Sequence, residues 1–388
     1  MKRHFRMQAL AIAAAAVIVL SGCSGTGTGG ATVDAASRAA TVAAAEKGAN
    51  VLLTAAAQDN EWTGPSDSPA PIDGLEVTVI PEQMASTASR LAAETIRDQG
   101  ALIGWDVKIS DGQGKPDVQL NAVNTAVDEG ADAIILIFVD TTRVQAGVQR
   151  AVDGDIPIIT IGSLKNTPDT VPDVSFDWYG SGQAIAQYMV WKSDAELNLL
   201  QMKNTDLYVV VNGQFAGSQD WIEDNCASCT VTVKEWSLAS FDDPTSGPAA
   251  QASAALQSDT SIDWVSCFDS CLFRVSQAVD RTGMTERMSG AGYDCSPENL
   301  AQISEGGMQK VCFADPRAWL AMAAMDNINR MSNDEEPFDY TKSIPVALFD
   351  KDVLDGLDAS KREELETTGW QGNFDFRAKF LELWGVEG

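Results

Sequence analysis

Polar side chains suited to holding a hydroxyl-bearing molecule follow one short apolar run after another in this chain. Glu82 and Gln83 follow the run 77–80, Asp111 follows 107–109, Asp140 follows 133–139, and Gly162 and Ser163 follow 156–161. In the second half Asn212 follows 207–211, Asp269 lies just past 264–267, and Asp294 comes directly after 288–292 and Tyr293. Carboxylates and amides exchange hydrogen bonds with hydroxyl groups, while aromatic rings, here Trp178 and Phe241, cover the apolar faces of a cyclic ligand. Each position also has a structural use. An Asp or Asn after a strand caps the next helix, and Trp178 and Phe241 are equally suited to packing.

Catalytic readings of the same residues are weaker. The only histidine, His4, lies in a segment expected to be removed, so no His-based triad, acid–base pair or His-ligated metal is expected. Paired carboxylates alone would allow glycoside hydrolysis, but the repeated units around them carry no recognisable catalytic pattern, and an enzyme is not expected. Asp350, Asp352, Asp355 and Gly356 approach a calcium loop, yet the third acid and the glycine each come one place late. No metal and no cofactor are expected.

The N-terminus carries an address. Lys2, Arg3 and Arg6 precede the apolar stretch 9–20, too short to span a bilayer comfortably, and the stretch ends in Leu20-Ser21-Gly22-Cys23. This reads as a lipobox, with cleavage before Cys23 and lipidation of its thiol; an ordinary secretory signal is the alternative. Membrane attachment through that lipid is expected. Loss of residues 1–22 leaves 24 basic against 55 acidic residues, moving the formal charge from -28 to about -31. Such a surface repels nucleic acid, so no nucleic-acid partner is expected.

Six further cysteines suit an exported chain. Sequence neighbours suggest Cys226–Cys229, Cys267–Cys271 and Cys295–Cys312, although other connectivities are formally open. A redox Cys-x-x-Cys at 226–229, or a four-thiolate zinc site formed with Cys267 and Cys271, are the rival readings.

The elements that must position these residues form a regular series. Residues 31–58 are alanine-rich and read as a helical or partly disordered lead-in, and Pro65, Pro69 and Pro71 mark a linker. From residue 75 the apolar runs 77–80, 107–109, 133–139, 156–161, 207–211, 231–236, 264–267, 288–292, 311–313 and 346–349 alternate with helical stretches near 86–98, 118–129, 144–153, 181–191, 249–256, 272–282, 298–305 and 317–331. Continuously apolar strands alternating with helices imply parallel sheets with right-handed crossovers. Ten such strands exceed one compact domain, so the fold class expected is α/β with two Rossmann-like lobes. Ligands of such sheets bind beyond the carboxyl ends of the strands.

Several stretches resemble the type I periplasmic binding proteins, in the ribose-binding-like branch that serves sugar ABC transporters. They are Asp111 to Asp117 with Gln119 and residues 121–135, residues 154–160, Ser175-Phe176-Asp177-Trp178 to Met189, and Gly290-Ala291-Gly292-Tyr293-Asp294 followed by Ser296-Pro297-Glu298. The resemblance covers roughly 75–350. It implies a three-segment hinge with crossings near Asp177, Asp315 and Pro345. The domain division that follows is 1–22 signal peptide, 23–74 tether and lead-in, 75–176 with 315–344 as first lobe, and 177–314 with 345–388 as second. It further implies a small polar ligand, a monosaccharide or polyol, in the cleft, with Asp294 on sugar hydroxyls, Phe241 stacked on the ring and Asp269 beside a further contact. A monomer that delivers its ligand to an ABC permease is implied, with a ligand sensor for a membrane receptor or kinase, or a binder of a non-sugar metabolite, as alternatives. Where ribose binders carry an Asp-Arg pair this chain has Gly162-Ser163, and the helix after Asn212 has no arginine where they place another.

Overall fold

The structure is a computed structural model that describes residues 34–163 and 171–386; the expected lipidation site Cys23 lies outside them. The first part runs α1 (Ala35–Ala55), β1 (Glu76–Pro81), α2 (Thr87–Leu102), β2 (Asp106–Ile109), α3 (Pro116–Glu129), β3 (Ala133–Ile137), α4 (Gln145–Asp153), β4 (Ile158–Ile161) and β5 (Asp173–Val174). Next come α5 (Trp178–Lys192), β6 (Asn198–Asn204), α6 (Ala216–Asn225), β7 (Thr230–Trp236), α7 (Pro248–Ser258), β8 (Trp264–Ser266) and α8 (Asp269–Thr282). The remainder is β9 (Ser289–Tyr293), α9 (Pro297–Ser304), β10 (Gln309–Ala314), α10 (Arg317–Ser332), β11 (Ala347–Asp350), α11 (Lys351–Gly356), α12 (Ala359–Thr368) and α13 (Phe376–Leu383). Local chemistry sets many of the boundaries. Pro116, Pro248 and Pro297 open helices at the position where a missing N–H costs nothing. Gly130 and Gly283 end helices in the left-handed conformation.

Two sheets result. The first has the order β2-β1-β3-β4-β5, all parallel. The second has the order β11-β10-β9-β8-β6-β7, parallel except for β11 against β10. Helices cover both faces, so β3 is buried along its whole length; full burial of an aliphatic side chain there contributes about 1.5–3 kcal/mol. The chain crosses between the lobes after β5, after β10 and before β11. Strand order reverses between β1 and β3 in one sheet and between β6 and β8 in the other. Those reversals open crevices at the carboxyl ends of the strands, where ligands of such sheets bind.

Three expectations need correction. The run 207–211 is not a strand: residues 208–209 are helical and Val210–Phe215 forms a wide π-helical turn. The strand is the more polar segment β6 just before it. Asn204 ends that strand by accepting hydrogen bonds from the amides of Asp206 and Leu207, which starts the helical turn. Of the stretch 23–74 expected as a tether and a helical or partly disordered lead-in, the part described, from residue 34, is helical over Ala35–Ala55 and is packed. Helix α1 lies on α5 and β11 of the second lobe, held by Arg38 to Asp194 and Glu196, and Trp62 stacks on Trp319 of α10 at 5.8 Å. The C-terminal segment does not stay with the second lobe: α12 packs on α9 there, but α13 packs on α10 beside the first sheet.

Asp326 of α10 fastens these additions. Its fully buried carboxylate accepts from Ser68 Oγ (2.5 Å), Arg330 Nε (2.7 Å), Tyr340 OH (2.8 Å) and Trp384 Nε1 (2.9 Å). The N-terminal linker, α10, the 340 turn and the C-terminus thus meet on one group.

Disulfides join Cys226 to Cys229, Cys267 to Cys271 and Cys295 to Cys312. The third ties the end of β9 to β10 across 17 residues. Chain-entropy reasoning assigns such a loop about 3 kcal/mol. The double variant Cys295→Ser/Cys312→Ser is therefore expected to lose about that much in urea unfolding, and an unchanged midpoint would contradict it.

Candidate ligand-binding site

Both crevices face one another across the crossings and enclose a single cleft. From the first lobe come Glu82 and Ser86 beyond β1, Ala88 on α2 and Phe138 beyond β3. Leu207, Val209, Val210 and Gln214, beyond β6, come from the second lobe, with Phe268 beyond β8 and Asp294 beyond β9. Trp178 and Arg317, each the first residue of a helix after a crossing, complete it. The lobes touch, leaving a cavity of about 30 Å³, room for about two water molecules. Arg143 reaches across the mouth to Asp206 (2.7 Å) and to the Thr205 carbonyl (3.1 Å), while Thr87 donates to Glu298 at 3.1 Å.

Arg317 is the centre of the site. Its side chain is 5% exposed and pairs with Asp315 at 2.8 Å and with Asp294. The guanidinium lies 4.7 Å from the Phe138 ring centroid and 5.7 Å from that of Trp178, a cation–π arrangement. One cation faces two buried carboxylates and neutralises only one. Burial accordingly raises Asp294 above the usual carboxylate range and Asp315 to about 7, against the opposing pull of Arg317. Nη1 of Arg317 is buried without a hydrogen-bond partner, and leaving a buried charged donor unsatisfied is costly.

The backbone around this group is strained. Phe138 has φ 55°, Asp294 φ 90° and Cys295 φ 48°, values that non-glycine residues adopt sparingly and that gather at functional sites. Gly162, at φ 70°, makes room for the Phe138 ring: a Cβ there would stand 2.5 Å from Cε1. Trp178 meets Phe138 edge-on at 5.9 Å and donates to Ser175 Oγ at 3.2 Å.

Glu82 is 3% exposed, and its carboxyl is hydrogen-bonded to the Ser89 hydroxyl, at 2.6 and 2.7 Å. Burial pushes its carboxyl up to about 8 from an ordinary 4.5, so at neutral pH it is protonated and can donate to a ligand. Because the folded state holds this proton more tightly than the unfolded chain, the associated stability is complete below pH 4.5. It is lost as pH rises through 8, to the extent of roughly 4–5 kcal/mol. Urea unfolding at pH 5 and pH 8.5 is expected to show a larger loss for the native chain than for Glu82→Gln; equal losses would contradict this.

The expected site residues divide. Glu82, Asp140, Trp178 and Asp294 line the cleft, Asp140 at its outer part beside Arg143 and Asp206. Asp111 is exposed and accepts from the amides of Met84 and Gln113, a loop-capping use. Gln83 is buried beside Gly114, outside the cavity lining. Ser163 is bound to Thr160 and Asp173, beneath the surface. Asn212 is exposed on the π-helical turn and donates to the Tyr208 carbonyl, since the expected strand before it is helical; Gln214 faces the cleft instead. Phe241 packs on Trp236 at 5.7 Å and lines no part of the cavity. Asp269 is fully buried and accepts from the Ser296 amide and Gln309, with Gly292 pressed against it, while Phe268 takes the cleft position. Arg317, Phe138 and Arg143 were not among the expected residues. Arg317 alone had a signal, standing two places after the Asp315 crossing.

A larger hollow of about 540 Å³ lies between α12 and residues 368–377 and shares no residue with the cleft. Among the described residues no helix is long and apolar enough to cross a membrane.

The family described as periplasmic binding protein domain matches residues 77–335. The galactofuranose-binding protein YtfQ of Escherichia coli K12 is 27% identical over 135 residues, which is 33% of this chain and 42% of that protein. The match therefore spans less than half of that relative. A Caulobacter myo-inositol binding protein bound to myo-inositol superposes with a TM-score of 0.66 at 16% identity, over 75% of this chain and 97% of its own. A Mycobacterium smegmatis protein in complex with β-D-fucofuranose gives 0.63 at 14%, over 80% and 98%. At these identities the structural likeness speaks for the fold alone.

Proposed function

This chain belongs to the periplasmic binding protein family, and we propose that it is the extracytoplasmic solute-binding component of an ABC importer, closing around a monosaccharide or polyol. The observation that carries this reading is Arg317, buried in the cleft with Nη1 unpaired and flanked by two carboxylates and two aromatic rings. A polyhydroxyl ligand satisfies that set: hydroxyl oxygens accept from the guanidinium, hydroxyl protons go to the carboxylates, and Phe138 and Trp178 cover apolar ring faces. The small closed cavity supports admission only when the lobes part, as the hinge of this fold permits. The similarity to proteins named for galactofuranose, myo-inositol and fucofuranose agrees in ligand class. Residues 1–23 support a further part of the proposal, anchoring by a lipid on Cys23, and the chain is taken to act as a monomer.

Calorimetric titration with a panel of monosaccharides and polyols tests the reading. One or a few are expected to bind with one-to-one stoichiometry, and silence across the whole panel would sink the saccharide assignment.

A further inference from the structure

The cleft is chemically two-sided. Its polar groups are Glu82 and Ser86 from the first lobe, Arg317 at a crossing, and Asp294 and Gln214 from the second lobe. The segment beyond β6 in the second lobe supplies all three branched aliphatic side chains of the lining, Leu207, Val209 and Val210. This wall follows from the helical turn that replaces the expected strand end. Leu207 precedes that turn, Val209, Val210 and Gln214 belong to it, and all four line the cavity. Leu207 and Val209 are buried there. Aliphatic side chains offer a hydroxyl neither donor nor acceptor, so an OH pressed against them loses its water without replacement.

We propose that the ligand is a deoxy sugar. Its hydroxyls face Glu82, Asp294 and Arg317, and its methyl or deoxygenated edge lies on Leu207, Val209 and Val210. The proposal rests on the reading of the cleft as a saccharide site and adds which saccharides it prefers. An apolar wall rejects an added hydroxyl by no more than about 100-fold, so the expected preference for a deoxy sugar over its hydroxylated parent is about 10- to 100-fold.

Matched pairs measure this: D-fucose against D-galactose, L-rhamnose against L-mannose, and 2-deoxy-D-ribose against D-ribose, each titrated calorimetrically into the full-length protein. In any pair that binds, the deoxy member is expected to have the lower Kd by at least about tenfold. Val210→Thr, nearly the same size but bearing a hydroxyl, and Leu207→Asn are each expected to narrow that ratio. If a parent sugar binds as tightly as its deoxy partner or more tightly, the preference is wrong while the saccharide site stands. If both variants leave the ratio unchanged, the wall is not its cause and the proposal fails. If no sugar or polyol binds at all, the saccharide reading fails and this proposal with it.

Discussion

Arg317→Ala is expected to weaken ligand binding by at least about 100-fold, the consequence of truncating one member of a desolvated, hydrogen-bonded charge cluster. It is also expected to lower stability by about 3–5 kcal/mol, because Asp294 and Asp315 are left buried without their cation. The two effects have different origins and can be separated. Adding Asp315→Asn to Arg317→Ala removes one uncompensated charge and should recover part of the stability in urea unfolding, while affinity stays lost. Arg317→Lys keeps the charge but not the planar fork that reaches both carboxylates and stacks on Phe138; it should fall between the two in affinity. Native-like affinity in a folded Arg317→Ala protein would remove Arg317 from the site.

The second large effect is purely structural. Asp326→Ala deletes the acceptor shared by Ser68, Arg330, Tyr340 and Trp384 and leaves the Arg330 guanidinium buried beside an empty position. A loss of about 3–5 kcal/mol is expected, with the linker and C-terminal helix released from α10. Tryptophan emission should report that release, since Trp384 leaves a fully packed environment. Saccharide affinity of the fraction that stays folded should change little, because Asp326 is remote from the cleft lining. A loss below about 1 kcal/mol, the range of a surface pair, would mean the four donors find other partners.

The sequence disclosed the fold wherever burial shaped it. Runs such as Ala133–Ile137 are apolar on both faces because helices cover both faces, and they read as strands. The reading failed where tertiary context outweighed local pattern. Residues 207–211 are largely apolar and include three β-branched valines, yet Asn204 caps a helical turn there, and the true strand β6 carries Gln201 and Lys203. Helix α1 and the linker looked solvated because alanine and proline carry little pattern; their fixation depends on partners more than 150 residues away, including Asp194 and Asp326. At the cleft, polar residues after strands marked the strand ends that enclose it but not which side chains turn inward. Asp269 and Asp294 follow successive strands, and only the latter faces the cleft. Arg317 escaped because a helix-opening arginine looks like an ordinary surface residue until three strand ends close around it.

The central claim is that a saccharide lies between the lobes, against Arg317. A crystal structure of the protein with the tightest-binding sugar from the panel tests it most directly. The expected result places the sugar in the cleft against Phe138 and Trp178, with its hydroxyls on Glu82, Asp294 and the free Nη1 of Arg317. A sugar seated elsewhere, for instance in the hollow between α12 and residues 368–377, with the cleft closed over its small cavity, would contradict the account.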